Sequence, residues 1–268
     1  MNKQNILLIG SSGFLGSKIF ECSPKKFCVW KAHRNTMDNT KIHHIKIDLT
    51  DTISIKKALK ISKPKIVIYA SRIYPHDSNP KKIKIYTKKL VQLLNAPKTK
   101  LIYFSSDAVF DGEKGNYKEN DKTNPKTDYG KAKLSAEQMI KQFSDNFLII
   151  RTGYILGRDK KNFDKRSLEV LNCLKKNQKI ERFDDIKRST IKVEKLAKIV
   201  WKLIDQNLKG IIHVAEKKQS PFEMGLYLAK KFNFDSSLII PVSYKKSKIE
   251  LAVDTTLNID KLSYTFKK

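Results

Sequence analysis

Three side chains whose types and spacing could perform acid catalysis lie between positions 105 and 137. Tyr129 and Lys133 are four residues apart in a segment predicted to be helical, so both lie on one helix face. A lysine ammonium one turn away stabilises a phenolate and lowers its pKa from the usual value near ~10. Ser106 follows the apolar run at 101–104, so a strand end presents its hydroxyl to the same substrate oxygen. The three side chains together could protonate a carbonyl oxygen while a hydride arrives at its carbon.

Tyr-x-x-x-Lys by itself is also found on many solvated surface helices, so its meaning depends on the rest of the chain. A second chemical signal lies at the N-terminus, where the apolar run 5–9 leads directly into Gly10, Gly13 and Gly16. Strand, glycine turn and helix in this order form a cradle for a pyrophosphate, which binds at the helix N-terminus. The spacing is Gly-x-x-Gly-x-x-Gly, and its position before an amphipathic segment predicts a dinucleotide site.

The end of the second predicted strand (27–32) indicates which dinucleotide binds. NAD enzymes place an acidic residue there to bind the ribose 2′-hydroxyl, whereas this chain has Arg34 and no acid. An arginine suits a 2′-phosphate, so we predict NADPH as the cofactor and NADH as the alternative. The other interpretation of Arg34 is one more basic surface residue.

Short apolar runs alternate with helical segments over the first 150 residues. The predicted strands are 5–9, 27–32, 42–47, 65–70, 101–104 and 146–152. This alternation predicts an α/β fold with a doubly wound parallel Rossmann-type sheet. Ligands bind such sheets outside the carboxyl ends of the strands, so we expect the following strand-end residues to converge. They are Gly10, Asp48, Ala70, Ser106 and Thr152.

Beyond residue 152 the apolar content is patchier and the loops are charged. We therefore divide the chain into an NADP-binding domain at 1–152, which contains the Tyr129 helix, and a smaller substrate-binding lobe at 153–268. The lobe is expected to be partly interleaved with the first domain. At 268 residues the chain is long enough for a large core with such an appendage.

Composition excludes several classes of function. The net charge of +28 comes from lysines spread along the whole chain, which indicates a solvated surface rather than a nucleic-acid face. No apolar run reaches the ~20 residues of a membrane span. Three cysteines without metal spacing indicate reduced thiols, so we expect a cytoplasmic protein without a structural metal.

Several of these segments together resemble the extended short-chain dehydrogenases/reductases, and within them the dTDP-4-dehydrorhamnose reductase group. The strongest similarity is the block SSDAVFDG at 105–112, followed by Tyr117, Glu119, Asp121, Pro125 and Tyr129-Gly130-Lys131. Supporting segments are GSSGFLG at 10–16, DLTD at 48–51, RTGYILG at 151–157 with Asn162-Phe163, GIIHVA at 210–215 and DTTLNIDKL at 254–262. The similarity covers nearly the whole chain.

The resemblance implies reduction of a 4-keto sugar nucleotide, dTDP-4-dehydrorhamnose to dTDP-L-rhamnose, by NADPH. Tyr129 would donate the proton, Lys133 would hold the nicotinamide ribose, and Ser106 would orient the keto oxygen. Asp107 and Tyr154 would lie near the sugar. The residues predicted to contact the cofactor are Gly10, Gly13, Phe14, Leu15, Gly16, Arg34, Asp48, Leu49, Ala70, Ser71, Arg72, Ser105, Tyr129 and Lys133.

The chain departs from the group at Tyr69, where an Asn is expected, and at Arg72, where a small residue is expected. The acidic residues with which some members bind magnesium at a dimer contact are not apparent after Ile73. Magnesium and a homodimer are therefore left open. Two other functions are also open: a sugar-nucleotide epimerase or dehydratase of the same superfamily, and a non-catalytic nucleotide-binding regulatory subunit.

Overall fold

A computed structural model describes residues 3–34, 43–71, 79–95, 98–157, 164–246 and 251–267. The strands of this part, in chain order, are β1 (Gln4–Ile9), β2 (Phe27–His33), β3 (His44–Lys46), β4 (Ile66–Tyr69), β5 (Lys100–Ser106), β6 (Phe147–Thr152), β7 (Tyr154–Leu156), β8 (Ile180–Phe183), β9 (Arg188–Lys192), β10 (Gly210–His213), β11 (Lys217–Gln219) and β12 (Ile239–Val242). The helices are α1 (Phe14–Glu21), α2 (Thr52–Ser62), α3 (Pro80–Asn95), α4 (Asp128–Phe143), α5 (Lys165–Lys175), α6 (Val193–Asp205), α7 (Pro221–Lys231) and α8 (Asp260–Lys267).

Seven strands form a parallel central sheet in the order β10-β6-β5-β4-β1-β2-β3. The strand order reverses beside β1, as in doubly wound sheets, where ligands bind at the reversal. β4 and β5 are buried along their whole length, because helices cover such a sheet on both faces. The predicted α/β class with a parallel Rossmann-type sheet is confirmed.

The chain divides into two compact units that exchange segments. The first comprises residues 1–106, 128–151 and 194–212, and the second comprises 107–127, 152–193 and 213–268. The segment 107–127 belongs to the second unit, although it lies before residue 152 in the chain. The division of the chain at residue 152 into two folding domains stays a prediction.

The first unit has its main described core between the sheet and the helices α2, α3 and α4. Leu7, Val67 and Leu101 from three strands are at most 1 % exposed and pack with Leu90 of α3 and Ile140 of α4. This core holds α4, which carries Tyr129 and Lys133, against the sheet. Burial of each such aliphatic side chain contributes roughly 1.5–3 kcal/mol to folding.

The second unit contains two small sheets, β11-β9-β7 and β12-β8. Its α7 begins with Ser220 as N-cap, Pro221 in the first turn and Glu223 completing a capping box. Leu171 of α5, Leu228 of α7 and Ile239 of β12 form a separate apolar core. Among the described helices, none is long and apolar enough to cross a membrane.

Candidate active site

The Lys133 side chain lies between the predicted proton donor and the end of β5. Its Nζ donates a hydrogen bond to the carbonyl oxygen of Phe104 at 2.7 Å and lies 5.9 Å from the centre of the Tyr129 ring. Tyr129 lies in the first turn of α4, and its side chain is 37 % exposed. The helix therefore presents an accessible phenol next to an ammonium, as the four-residue spacing predicts.

Two buried tyrosines pack against each other at this place, and one of them, Tyr103, lies beneath the ammonium. The sequence singled out Tyr69 only as a departure from the resembled group and did not single out Tyr103. Tyr69 and Tyr103 are register partners on β4 and β5, with ring centres 5.4 Å apart. The Lys133 Nζ lies 4.9 Å from the centre of the Tyr103 ring, within cation–π range. Burial raises the pKa of both phenols well above the ordinary value, so both are protonated at neutral pH.

Two serines end β5, and they differ in their surroundings. Ser106 is buried and is followed by a 3-10 turn at Asp107–Val109. Ser105 is also buried, and within the described part of the chain its Oγ has no hydrogen-bond partner. A buried hydroxyl without a partner is costly, which is the pattern of a group that awaits a ligand. It fits the prediction that Ser105 contacts the cofactor.

The glycine turn lies at the same edge of the sheet, because β1, β4 and β5 are parallel neighbours. Gly10 has φ +85°, and a Cβ there would lie 2.5 Å from the Cβ of Ser71. A Cβ on Gly16 would lie 2.0 Å from the Gly10 carbonyl oxygen. The first approach brings the end of β4, with Ala70 and Ser71, against the turn, and the second brings α1 against it.

The first turn of α1 fits a phosphate. No side-chain cap forms at its N-cap residue, Gly13, and its first turn has no acidic side chain. Backbone N–H groups at such a terminus, together with the helix dipole, favour an anion. Phe14 and Leu15 open this turn, with Leu15 buried beneath it.

The ends of β2 and β3 carry the residues predicted for the adenosine side. Arg34 is exposed at the end of β2, and its charge contributes to a lowered pKa of Asp48. The main cause of that shift is a hydrogen bond from the backbone N–H of Thr50 to the Asp48 carboxylate at 2.8 Å. The N-cap of α2 is Asp51, which accepts hydrogen bonds from the N–H groups of Ile53 and Ser54. Because Asp51 caps α2, the Asp48 carboxylate does not serve as the cap of this helix.

His33 is a residue that the sequence did not single out on this side. Its Nδ1 lies 3.3 Å from the Oγ of Ser11 in the glycine turn. Burial, followed by the nearby charges of His44 and Lys31, lowers the pKa of His33. The imidazole is therefore mainly neutral at neutral pH.

The two residues predicted to lie near the sugar belong to the second unit. The Asp107 carboxylate accepts a hydrogen bond from Thr255 Oγ1 at 2.6 Å, and Asp107 is buried. Thr255 lies in the segment DTTLNIDKL, so the sequence singled out this segment but not its contact. The Tyr154 ring stacks with the guanidinium of Arg166, whose Cζ is 3.9 Å from the ring centre.

The structure brings together Tyr129, Lys133 and the end of β5 in the first unit, and separately Gly10, Gly16 and Ser71. Leu49 lies in the apolar core. Arg72, Ile73 and Asn162-Phe163 lie outside the described residues. Over the described ranges, no group of three or more His, Cys, Asp or Glu side chains could hold a metal ion.

One protein-family model matches nearly the whole chain. The RmlD substrate binding domain matches residues 4–266 of this chain. A hypothetical dTDP-4-dehydrorhamnose reductase from Sulfolobus tokodaii superposes with a TM-score of 0.82 at 28% identity, over 97% of this chain and 94% of that one. The dTDP-4-dehydrorhamnose reductase from Bacillus anthracis in complex with NADP gives a TM-score of 0.83 at 22% identity, over 98% and 93%.

A sequence relative carries a different name. The methionine adenosyltransferase 2 subunit beta of Danio rerio is 24% identical over 256 residues, which cover 90% of this chain and 77% of that protein. The chain is therefore similar both to proteins named as reductases and to one named as a subunit of another enzyme.

Proposed function

The chain belongs to the family of the RmlD substrate binding domain, and from this premise we propose that it is an NADPH-dependent reductase of a 4-keto sugar nucleotide. The proposed substrate is dTDP-4-dehydrorhamnose and the product dTDP-L-rhamnose, after the names of the similar structures. The observation that carries the proposal is the position of Lys133. Its Nζ is held by the Phe104 carbonyl, two residues before Ser106, and lies beside the exposed ring of Tyr129.

Each side chain has a separate task in this reaction. When bound, NADPH supplies the hydride that reduces the keto carbon. Tyr129 donates the proton to the keto oxygen, and Ser106 hydrogen-bonds that oxygen and orients it. Lys133 stabilises the tyrosinate that remains and would hold the nicotinamide ribose. The uncapped N-terminus of α1 would hold the pyrophosphate, and Arg34 would contact the 2′-phosphate.

The proposal includes a cytoplasmic location and a nucleotide-sugar substrate, while the homodimer stays open as before. Cys22, Cys28 and Cys173 are free thiols, which suits a reducing compartment. Magnesium dependence is left to the assay, by adding a chelator to the purified protein.

The experiment measures NADPH oxidation with dTDP-4-dehydrorhamnose for the wild-type protein and for Tyr129→Phe. This variant keeps the ring but removes the proton, so kcat should fall by roughly 10²–10⁴-fold. The Kd for NADPH should hardly change, because the phenol does not anchor the dinucleotide. Lys133→Met should lower kcat and also weaken NADPH binding, since the ammonium serves both the ribose and the phenol.

The matched control is Tyr264→Phe, which makes the same change on a side chain that is 69 % exposed on α8. It should leave both constants unchanged. A Tyr129→Phe enzyme with near-wild-type turnover would refute the assignment of the proton donor. Turnover of a nucleotide sugar without net consumption of NADPH would instead favour the epimerase or dehydratase.

A second function, a non-catalytic nucleotide-binding regulatory subunit, is favoured by the relative from Danio rerio. The placement of Lys133 between Tyr129 and β5 argues against it, because a regulatory subunit has no need of a paired phenol and ammonium. The discriminating measurement adds the purified protein to a methionine adenosyltransferase catalytic subunit. A change in that enzyme's kinetics, together with no reduction of any 4-keto sugar nucleotide, would establish the regulatory function.

A further inference from the structure

A buried ion pair lies one helical turn beyond Lys133. Glu137 of α4 is fully buried, and Arg151 near the end of β6 is 2 % exposed. The arginine binds both carboxylate oxygens, with Nε to Oε1 at 3.0 Å and Nη2 to Oε2 at 2.7 Å. This two-point geometry is the strongest form of an arginine–carboxylate contact.

Stability alone does not account for this pair. Removing two charges from water costs several kcal/mol for each ion, and apolar side chains of similar volume often stabilise a protein as well or better. The exposed pairs of this chain, such as Lys26 and Asp205 at 2.8 Å, carry no such cost. A buried pair next to the candidate active site therefore calls for a role beyond packing.

Lys133 and Glu137 are four residues apart on α4, at the spacing where a lysine and a glutamate attract each other. Both side chains affect Tyr103: the Lys133 ammonium lies over its ring, and the Glu137 charge contributes to its raised pKa. A buried carboxylate without a partner would draw the nearest ammonium strongly. In the structure the ammonium is instead bonded to the Phe104 carbonyl, while Arg151 engages the carboxylate.

We propose that Arg151 is a positioning residue that occupies both oxygens of Glu137 and thereby keeps the Lys133 ammonium at the Phe104 carbonyl, beside Tyr129. The position of the ammonium rests on the contacts above. The effect of this position on NADPH binding and on catalysis rests on the proposed function. The ion pair thus acts on the reaction through Lys133.

The test is a double-mutant cycle with Arg151→Met, Glu137→Met and the double variant, with the Kd for NADPH measured by fluorescence titration. In Arg151→Met the free carboxylate should capture Lys133, and NADPH binding should weaken by roughly 10–100-fold, the loss expected for a charge-assisted hydrogen bond. The double variant has no Glu137 carboxylate that could compete with the Phe104 carbonyl for the Lys133 ammonium. Its NADPH affinity should return to within about threefold of wild type, because Lys133 is free to return.

If Arg151 and Glu137 served only to hold the fold together, the double variant would lack their ion pair altogether. Its NADPH affinity would then not recover. A double variant that binds NADPH as weakly as Arg151→Met would therefore overturn the proposal. Thermal melts establish that each variant is folded. The control Lys26→Met removes an exposed ion pair and should leave the Kd unchanged.

Arg151→Lys is the second variant, in case Arg151→Met does not fold. A lysine keeps a cation but cannot bind both oxygens at once, so an intermediate loss of affinity is expected. If this variant binds NADPH as tightly as the wild type, any cation at position 151 suffices. That result would overturn the proposal that both carboxylate oxygens must be bound.

A crystal structure of the folded Arg151→Met variant tests the proposal without any ligand or turnover. The Lys133 Nζ should lie within about 4 Å of the Glu137 carboxylate, the distance of an ion pair. An ammonium still bonded to the Phe104 carbonyl would overturn the proposal. A wild-type protein that binds NADPH but reduces no 4-keto sugar nucleotide would refute the proposed function, while the binding cycle and the crystal structure would still test Arg151.

Discussion

Replacing Gly16 with alanine tests whether the close packing of α1 against the glycine turn builds the cofactor site. The new Cβ would lie 2.0 Å from the Gly10 carbonyl oxygen and 3.1 Å from the Cα of Ser11. Both neighbours are backbone atoms, so no side chain can rotate away. To restore an ordinary contact, α1 must move by about 1 Å or more relative to the turn.

The magnitude follows from two opposing effects. Overpacking against backbone costs about 1–3 kcal/mol, and alanine recovers up to about 1 kcal/mol through its better helix propensity. The net loss of about 1–2 kcal/mol should lower the melting temperature by roughly 2–8 °C in a protein of this size. NADPH binding should weaken by about tenfold or more, because the N–H groups at the start of α1 move away from the phosphate position.

The assay pairs a thermal melt with a fluorescence titration of NADPH. Gly225→Ala is the matched control, since Gly225 is a buried helical glycine of α7 whose added Cβ would meet a side-chain atom, Cγ2 of Ile239, at 2.9 Å. That side chain can shift, so Gly225→Ala should leave the Kd unchanged. A Gly16→Ala protein that melts lower but binds NADPH like the wild type would refute the reasoning, because the turn would then be a packing feature only.

Four further changes test the site and the electrostatics of the fold. Arg34→Ala should weaken NADPH binding by ~1–3 kcal/mol and leave NADH nearly unchanged in paired titrations, whereas equal losses would remove Arg34 from the 2′-phosphate role. Asp51→Ala should cost ~0.5–2 kcal/mol of stability because Asp51 caps α2. Asp48→Ala should mainly weaken cofactor binding, and an unchanged Kd with a lower melting temperature would make Asp48 a turn residue. Burial lowers the pKa of Lys100 to about 8 in the folded protein, whereas a lysine in the unfolded chain has a pKa of about 10.4. Between these two pH values the unfolded state binds more protons than the folded state, so the free energy of unfolding rises with pH. Lys100→Met lacks this titrating group. In denaturant titrations its free energy of unfolding relative to that of the wild type should therefore fall by up to ~3 kcal/mol between about pH 7 and pH 10.5. A difference that stays constant with pH would contradict the buried ammonium.

The sequence by itself determined the class of fold and the main chemical groups of the site. Apolar runs such as 5–9 and 101–104 predict strands buried on both faces, and their alternation with helical segments indicates a parallel sheet. The glycine spacing and Tyr-x-x-x-Lys are local patterns, and local geometry fixes which side chains share a turn or a helix face. Family resemblance then supplied the expected reaction.

Only the tertiary structure decided which distant residues meet. The register of β4 with β5 pairs Tyr69 with Tyr103, whose ring lies beneath Lys133, and the packing of α4 on the central sheet brings Glu137 to Arg151 of β6. In the second unit, Thr255 reaches Asp107 across 148 residues of chain. Such contacts depend on strand register and helix position, which the whole core sets at once, so no local pattern of residue types encodes them.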